Sequence, residues 1–215
     1  MAAPTAAIAS AVVADAGAVG SAVVGVLLAA GRGSRFDPTG ERYKLLQALP
    51  NGDPVVVASA RALLAAVPRV FAVVRPEDAA TAGLLRGLGC EVVVCANAGD
   101  GMAASLACAV QHARDAGGWL IALADMPYVQ PATMAALAGA VGQGGSASGT
   151  AAIAAPVHEG RRGNPVAFGR THLQALLALA GDQGARSILK NNPVNELTVN
   201  DPGILQDIDT PSDIQ

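Results

Sequence analysis

Lysine is almost missing from this chain: among 215 residues only Lys44 and Lys190 occur, and no basic run makes up for them. With a formal net charge of −3, the sequence lacks the clustered Lys and Arg on which general nucleic-acid affinity rests. Aromatic residues are 3% of a chain that is 52% hydrophobic, so the core must be built from Ala, Val and Leu, which suits close packing of helices on a sheet. Cys90, Cys95 and Cys108 are odd in number and have no C-x-x-C spacing, which leaves neither a disulfide framework nor a zinc site. Reduced, buried thiols in a cytoplasmic protein are the expectation. Residues 1–22 carry no Lys or Arg, so the basic start of a secretory signal is missing. The apolar run from Ala16 to Ala30 is also shorter than the ~20 residues needed to span a bilayer. No Gly-Lys pair occurs, which excludes a P-loop, and Phe36 stands where the dinucleotide fingerprint needs its last glycine.

What is present centres on Val23 to Phe36, with Lys44 a short loop further on. A continuous apolar run rich in β-branched residues, ending in small residues and Gly31 and Gly33, reads as a strand buried on both faces that stops at a glycine loop. Such a loop can turn through positive φ and bring backbone N–H groups against a polyanion, while Arg32, Arg35 and Lys44 add positive charge. That describes a phosphate cradle. A plain strand-to-loop turn with solvated arginines is the ordinary alternative.

The rest of the chain alternates strand and helix. Asp53 and Pro54 read as N-cap and first-turn proline of a helix to Ala66. Strands are expected at Arg69–Val74, Glu91–Cys95, Trp119–Ala124, Ala151–Val157 and Asn195–Val199. Helices are expected at 76–87, 102–115, 131–141, 171–180 and through Lys190. Gly142 to Gly149 reads as a flexible loop, and His158 to Phe168 as a β-hairpin with arginines at its tip. This spacing predicts right-handed crossovers and a parallel, doubly wound sheet, and the length suits a single α/β domain, residues 21–215, behind an Ala-rich tail at 1–20. At the carboxyl end of its strand Asp125 should face the same crevice as the Gly31 loop. A carboxylate there suits Mg²⁺, whose shell one or two carboxylates and nucleotide phosphates complete; a turn aspartate before Pro127 is the alternative.

Leu28-Ala29-Ala30-Gly31-x-Gly33-x-Arg35 followed by a lysine resembles the signature loop of nucleotidyltransferases that join an NTP to a phosphorylated acceptor. The likeness is to the molybdenum cofactor cytidylyltransferase family, within the MobA-like NTP transferases, and it runs over residues 22–213. Gly101-Met102-Ala103-Ala104-Ser105-Leu106 resembles that family's Gly-Met-Ser-x-Ser-Leu, with Ala103 for the first serine, and Asp125-Met126-Pro127 its metal-binding triplet. Gly160-x-Arg162-Gly163-Asn164-Pro165-Val166 and Gly181-Asp182-x-Gly184-Ala185-Arg186 resemble two acceptor-side stretches. Leu205 to Asp213 resembles a terminal Asp-Ile-Asp-Thr-Pro-Glu-Asp motif, with Ser212 for Glu. Arg35 and Lys44 are separated by more residues than is usual in the family.

The resemblance implies a three-layer, doubly wound, mostly parallel sheet of the nucleotide-diphospho-sugar-transferase type, with CTP and molybdopterin as substrates. It implies a catalytic set of Arg35, Lys44 and Asp125. Nucleotide contacts fall to Leu28, Ala29, Ala30, Gly31, Arg32, Gly33, Ser34, Arg75, Gly101 and Ser105. Acceptor contacts fall to Arg162, Gly163, Asn164, Pro165, Asp182, Gly184 and Arg186. Arg162 can fork two N–H bonds to a phosphate in a way lysine cannot. Mg²⁺ would sit on Asp125 and Asp207, two carboxylates from distant parts of the chain, with Asp209 the alternative or a cap through Thr210. No Ser-His or Cys-His pair is evident, which agrees with a transfer between phosphates that rests on alignment and charge. A guanylyltransferase of the same fold, or a non-catalytic nucleotide-binding partner of a molybdoenzyme, remains the rival reading. An NAD-linked oxidoreductase would require an acid where Arg75 ends the second strand.

Overall fold

The computed structural model describes residues 22–39, 42–142, 153–181 and 184–214. The tail at 1–20, the loop at 143–149 and Asp182 lie outside them. A sheet forms the middle layer, from β1 (Val23–Leu28), β2 (Val70–Val74), β3 (Glu91–Val94), β4 (Gly118–Leu123), β5 (Ile153–His158), β6 (Arg161–Arg162), β7 (Val166–Gly169) and β8 (Asn195–Thr198). Its order is β3-β2-β1-β4-β7-β5-β6, with β8 pairing on β5. The pairs β1–β2, β1–β4, β2–β3 and β5–β8 are parallel; β7 runs antiparallel to both β4 and β5.

Side chains alternate between the two faces with the pleat. Val23 and Leu27 of β1 and Leu120 and Ala122 of β4 join one core, shared with α1 (Val55–Ala66), α2 (Ala79–Gly87) and α4 (Pro131–Gly142). Val24, Val26, Trp119 and Ile121 join the other, under α3 (Met102–His112), α5 (Leu173–Leu177) and α6 (Arg186–Asn191). Gly25 lets α1 press onto the sheet, since a Cβ there would stand 2.9 Å from Leu63. Trp119, fully buried, donates its indole N–H to the Ala113 carbonyl at 3.1 Å.

Local differences from the sequence reading have physical reasons. Pro54, not Asp53, occupies the N-cap of α1; Asp53 instead pairs with Arg61 and accepts from its own loop at Asn51. The 171–180 segment is one 3-10 turn followed by the five residues of α5. Among the described residues, no helix is long and apolar enough to cross a membrane.

The chain runs outward from β1 through β2 to β3 and returns by α3 to β4 on the other side of β1. The strand order therefore reverses between β1 and β4, and a crevice opens beyond their carboxyl ends. The C-terminal segment then closes one side of it. Asp201, 1% exposed, accepts from the Gln130 amide at 2.9 Å, the Thr133 hydroxyl at 2.7 Å and the Gly203 amide at 3.1 Å. Gly203 and Gly163 permit the close approach that follows, because a Cβ on either would lie 2.2 Å from a neighbouring carbonyl oxygen, of Tyr128 and of Ile204 respectively. The Ile208 amide completes the join at the Asp125 carbonyl, 2.8 Å away. Asp201→Ala leaves buried donors without an acceptor and should cost about 1–3 kcal/mol, read as a lower urea midpoint at an unchanged denaturant slope.

Candidate active site

Leu28 and Leu123, the last residues of β1 and β4, floor a cleft of about 320 Å³ whose walls are Ala30, Gly31 and Arg32 on one side and Ala98, Gly99, Gly101, Met102 and Ser105 on the other, with Asp125 at the strand end. Gly31 and Asp125, remote in sequence, thus face one space. The wall opposite the glycine loop is the entry to α3. Gly101 takes φ +115° there, a conformation that favours glycine, and α3 begins at Met102, which lines the cleft, while the Ala103 N–H is taken by the Gly181 carbonyl at 3.2 Å. A helix start of this kind receives anionic groups. Ser105, one turn on, is 4% exposed and still lines the cleft.

The glycine loop itself departs from expectation in one respect. Only Gly33 takes positive φ, at +64°, while Gly31 does not, and a Cβ on Gly31 would meet nothing within 4 Å. Gly33 has a packing role: a Cβ there would come 3.2 Å from the Cβ of Lys44, so its absence lets the lysine stem lie against the loop. Ala29 belongs to the core and binds the Val73 carbonyl through its N–H at 3.0 Å, and Phe36, 4% exposed, anchors the end of the loop. Ser34 is exposed. Asp37 then holds the following turn, accepting from the Thr39 hydroxyl and amide and from the Arg42 amide, which pull its carboxyl down to about 2.

The charged centre lies at the Asp125 end. Lys44, its side chain 11% exposed, donates from Nζ to Asp125 Oδ2 at 2.6 Å and stands 3.7 Å from Asp209 Oδ1. Arg35 forms an ion pair with the other oxygen of Asp209. The long stretch between Arg35 and Lys44 therefore still delivers the lysine to Asp125, the acid at the end of the cleft. Asp207, expected to join Asp125, instead lines a separate hollow of about 420 Å³ with Tyr128, Leu205, Gln206 and Asp213; the carboxylate that shares Lys44 with Asp125 is Asp209. Asp213 fixes the backbone there. It accepts from the Thr210 amide and hydroxyl and from the Asp209 amide, which together hold it below the usual carboxylate range.

A second hollow of about 140 Å³, lined mostly by apolar side chains, adjoins the cleft, sharing Leu28, Met102 and Leu123, and is lined further by Leu106, Phe168, Asn164 and Arg186. Gly184, at φ +53°, packs on Met102, whose sulfur would lie 3.0 Å from a Cβ at that position. Of the remaining expected acceptor residues, Gly163 is spent on the contact with Ile204 and Pro165 precedes β7. Arg162 pairs with Glu196 on the exposed β6 edge. Arg75 lines neither hollow and binds Asp78 and Tyr43.

Two carboxylates, balanced by the Lys44 ammonium and the Arg35 guanidinium, bring hard oxygen donors together at this point. Such a set suits Mg²⁺ or Mn²⁺ rather than a soft metal. Among the described residues no group of three or more His, Cys, Asp or Glu is placed to hold a metal ion.

Residues 25–197 match the family model described as the MobA-like NTP transferase domain. The chain belongs to that family. By that membership it is a nucleotidyltransferase, and no functionally curated protein matches it in sequence. Among solved structures it is similar to Rv0371c of Mycobacterium tuberculosis H37Rv in complex with manganese, at 26% identity and TM-score 0.69 over 89% of this chain and 95% of the other. It is similar also to a nucleotidyl transferase from Methanothermobacter, at 24% identity and TM-score 0.74 over 89% and 94%. A third likeness is to the molybdopterin-guanine dinucleotide biosynthesis protein A of Archaeoglobus fulgidus, at 20% identity and TM-score 0.65 over 89% and 95%. The last two establish the nucleotide-diphospho-sugar-transferase-like fold.

Tyr43, next to Lys44 in the chain, offers a spectroscopic check of this arrangement. Burial and the hydrogen bond to Asp78 push its phenol up to about 12. Because the folded value lies above the ordinary ~10, its contribution to stability is complete below pH ~10 and is lost as pH rises through the folded value. In Tyr128→Phe, which keeps Tyr43 as the one remaining tyrosine, ultraviolet titration should give a midpoint near 12 in the native protein and about 10 in urea.

Proposed function

We propose that this nucleotidyltransferase transfers CMP from CTP to the terminal phosphate of molybdopterin and releases pyrophosphate. The observation that carries the reading is that the Gly31 loop and the start of α3 share one cleft with Asp125, which in turn holds Lys44 beside Asp209. The motif likeness supplies the substrates. The Phe168 hollow beside the cleft, with Asn164 and Arg186 as polar groups, has the character wanted for a flat heterocyclic acceptor.

The acceptor's phosphate oxygen attacks the α-phosphorus of the nucleotide in line; the bond from that phosphorus to the bridging oxygen breaks, and pyrophosphate departs with the electron pair. The N–H groups at the Gly31 loop and at Met102 hold the triphosphate, and Lys44 and Arg35 place positive charge where negative charge grows on the phosphoryl oxygens. Asp125 and Asp209 are the proposed holders of a divalent ion, which when bound supplies charge neutralisation on the phosphates. Asp125 also keeps the Lys44 ammonium at the strand end, and Asp209 does the same for Arg35. Nothing in such a transfer calls for a nucleophilic side chain.

The test is pyrophosphate release with CTP, GTP or ATP, each with and without molybdopterin, in Mg²⁺ and in EDTA. CTP with molybdopterin and Mg²⁺ should turn over and EDTA should abolish the activity. Preference for GTP would make the protein a guanylyltransferase, and binding without turnover a non-catalytic partner. Loss of one preorganised charge donor commonly lowers kcat about 10²–10³-fold, the effect expected of Lys44→Ala; a variant with near-normal turnover would remove Lys44 from the mechanism.

A further inference from the structure

Tyr43 and Lys44 are consecutive, yet their side chains go to different anchors. While Lys44 reaches Asp125, the Tyr43 hydroxyl donates to Asp78 Oδ1 and accepts from Arg75 Nη2. Arg75 donates from Nε to Asp78 Oδ2 at 3.2 Å and from Nη2 to Oδ1 at 3.3 Å, and its guanidinium lies over the Tyr43 ring, 5.6 Å from the centroid. Asp78 is 6% exposed and stands at the N-cap of α2, but makes no capping bond; the hydrogen bonds its carboxylate accepts come from Tyr43 and Arg75. An acid in a capping position that leaves the cap unmade has been committed elsewhere.

The local backbone shows what this holds. The Tyr43 carbonyl accepts from the Leu46 amide at 3.1 Å and from the Gln47 side chain at 3.0 Å, and Leu45 is buried, so Lys44 sits on a single 3-10 turn clamped on both sides. Arg75 and Asp78 belong to the junction of β2 and α2, at the carboxyl end of an interior strand paired on both sides. We propose that Tyr43, Arg75 and Asp78 form a positioning latch that ties the turn bearing Lys44 to the end of β2 and so fixes the ammonium at Asp125. The claim rests on Lys44 being the catalytic cation and assigns Arg75 to the latch rather than to the nucleotide. A lysine on a flexible stem between two anchored neighbours spends its time in the cleft, whereas one on an untethered loop pays ordering entropy at each turnover.

Two readouts separate the latch from the transfer reaction. Because Lys44 and Lys190 are the whole lysine complement, acylation by an N-hydroxysuccinimide ester followed by mass spectrometry reports Lys44 against an internal standard. In Tyr43→Phe and in Arg75→Lys, Lys44 should be labelled several-fold faster relative to Lys190 than in the unmodified protein; an unchanged ratio overturns the latch, whatever the activity. In the pyrophosphate assay, Tyr43→Phe should lower kcat roughly 10–100-fold with nucleotide KM nearly constant. The same change in a Lys44→Ala background should then have less than about a twofold effect, since a residue acting through Lys44 has nothing left to position. Equal losses in both backgrounds, or an Arg75→Lys protein whose nucleotide KM rises at constant kcat, overturn the proposal. Absence of turnover with any nucleotide would sink the functional reading instead and leave the labelling ratio to decide the latch.

Discussion

An ammonium ion held between two carboxylates, at 11% side-chain exposure, is the contact around which the rest of this protein is arranged. Asp125 and Asp209 repel each other at this range and need a cation between them. Removing one member of such a partly desolvated set leaves charge uncompensated, which is why each member has its own support. Lys44 has the gap left by Gly33 for its stem. Asp125 stands two residues beyond β4 and accepts the Ile208 amide on its carbonyl, and Asp209 is fixed by the amide-binding carboxylate of Asp213. Asp201, deep under α4, sets the path of the segment that brings Asp209 back.

This arrangement explains the scarcity noted in the sequence. A site built on preorganised charge needs few reactive side chains. Cys90 and Cys108 fit that picture. Burial pushes the Cys90 thiol up to about 11, and Cys108 likewise to about 11 through burial and contact with Cys95, so neither is a ready thiolate.

Much of the fold could be read from the chain because the informative stretches are long and uniform. The apolar runs ending at Leu28 and at Leu123 give buried strands, and the turns that follow them carry glycine or aspartate where a crevice must open. The strand-and-helix alternation gives the mixed, mostly parallel sheet found here. Sequence was weaker where tertiary contacts decide. The two-residue period that groups Asp207 with Asp209 belongs to a strand, and the returning segment is not one; Gly203 and Gly163, by allowing backbones to touch, decide which carboxylate reaches Lys44. A count of residues between Arg35 and Lys44 likewise says nothing of the contact through Gly33 that brings them together. Arg75 reads as a free cation at a strand end until the buried Asp78, three residues on, is seen to claim it.

Leu28, Met102 and Leu123 form a common wall between the large cleft and the apolar hollow beside Phe168. Whatever occupies one chamber therefore rests on the same three side chains as whatever occupies the other. A change of volume at any of them reshapes both chambers at once, so evolution could not retune the preference for one ligand along this wall while leaving the other untouched. Independent adjustment is confined to the outer linings, Ser105 and Arg32 on one side and Asn164 and Arg186 on the other.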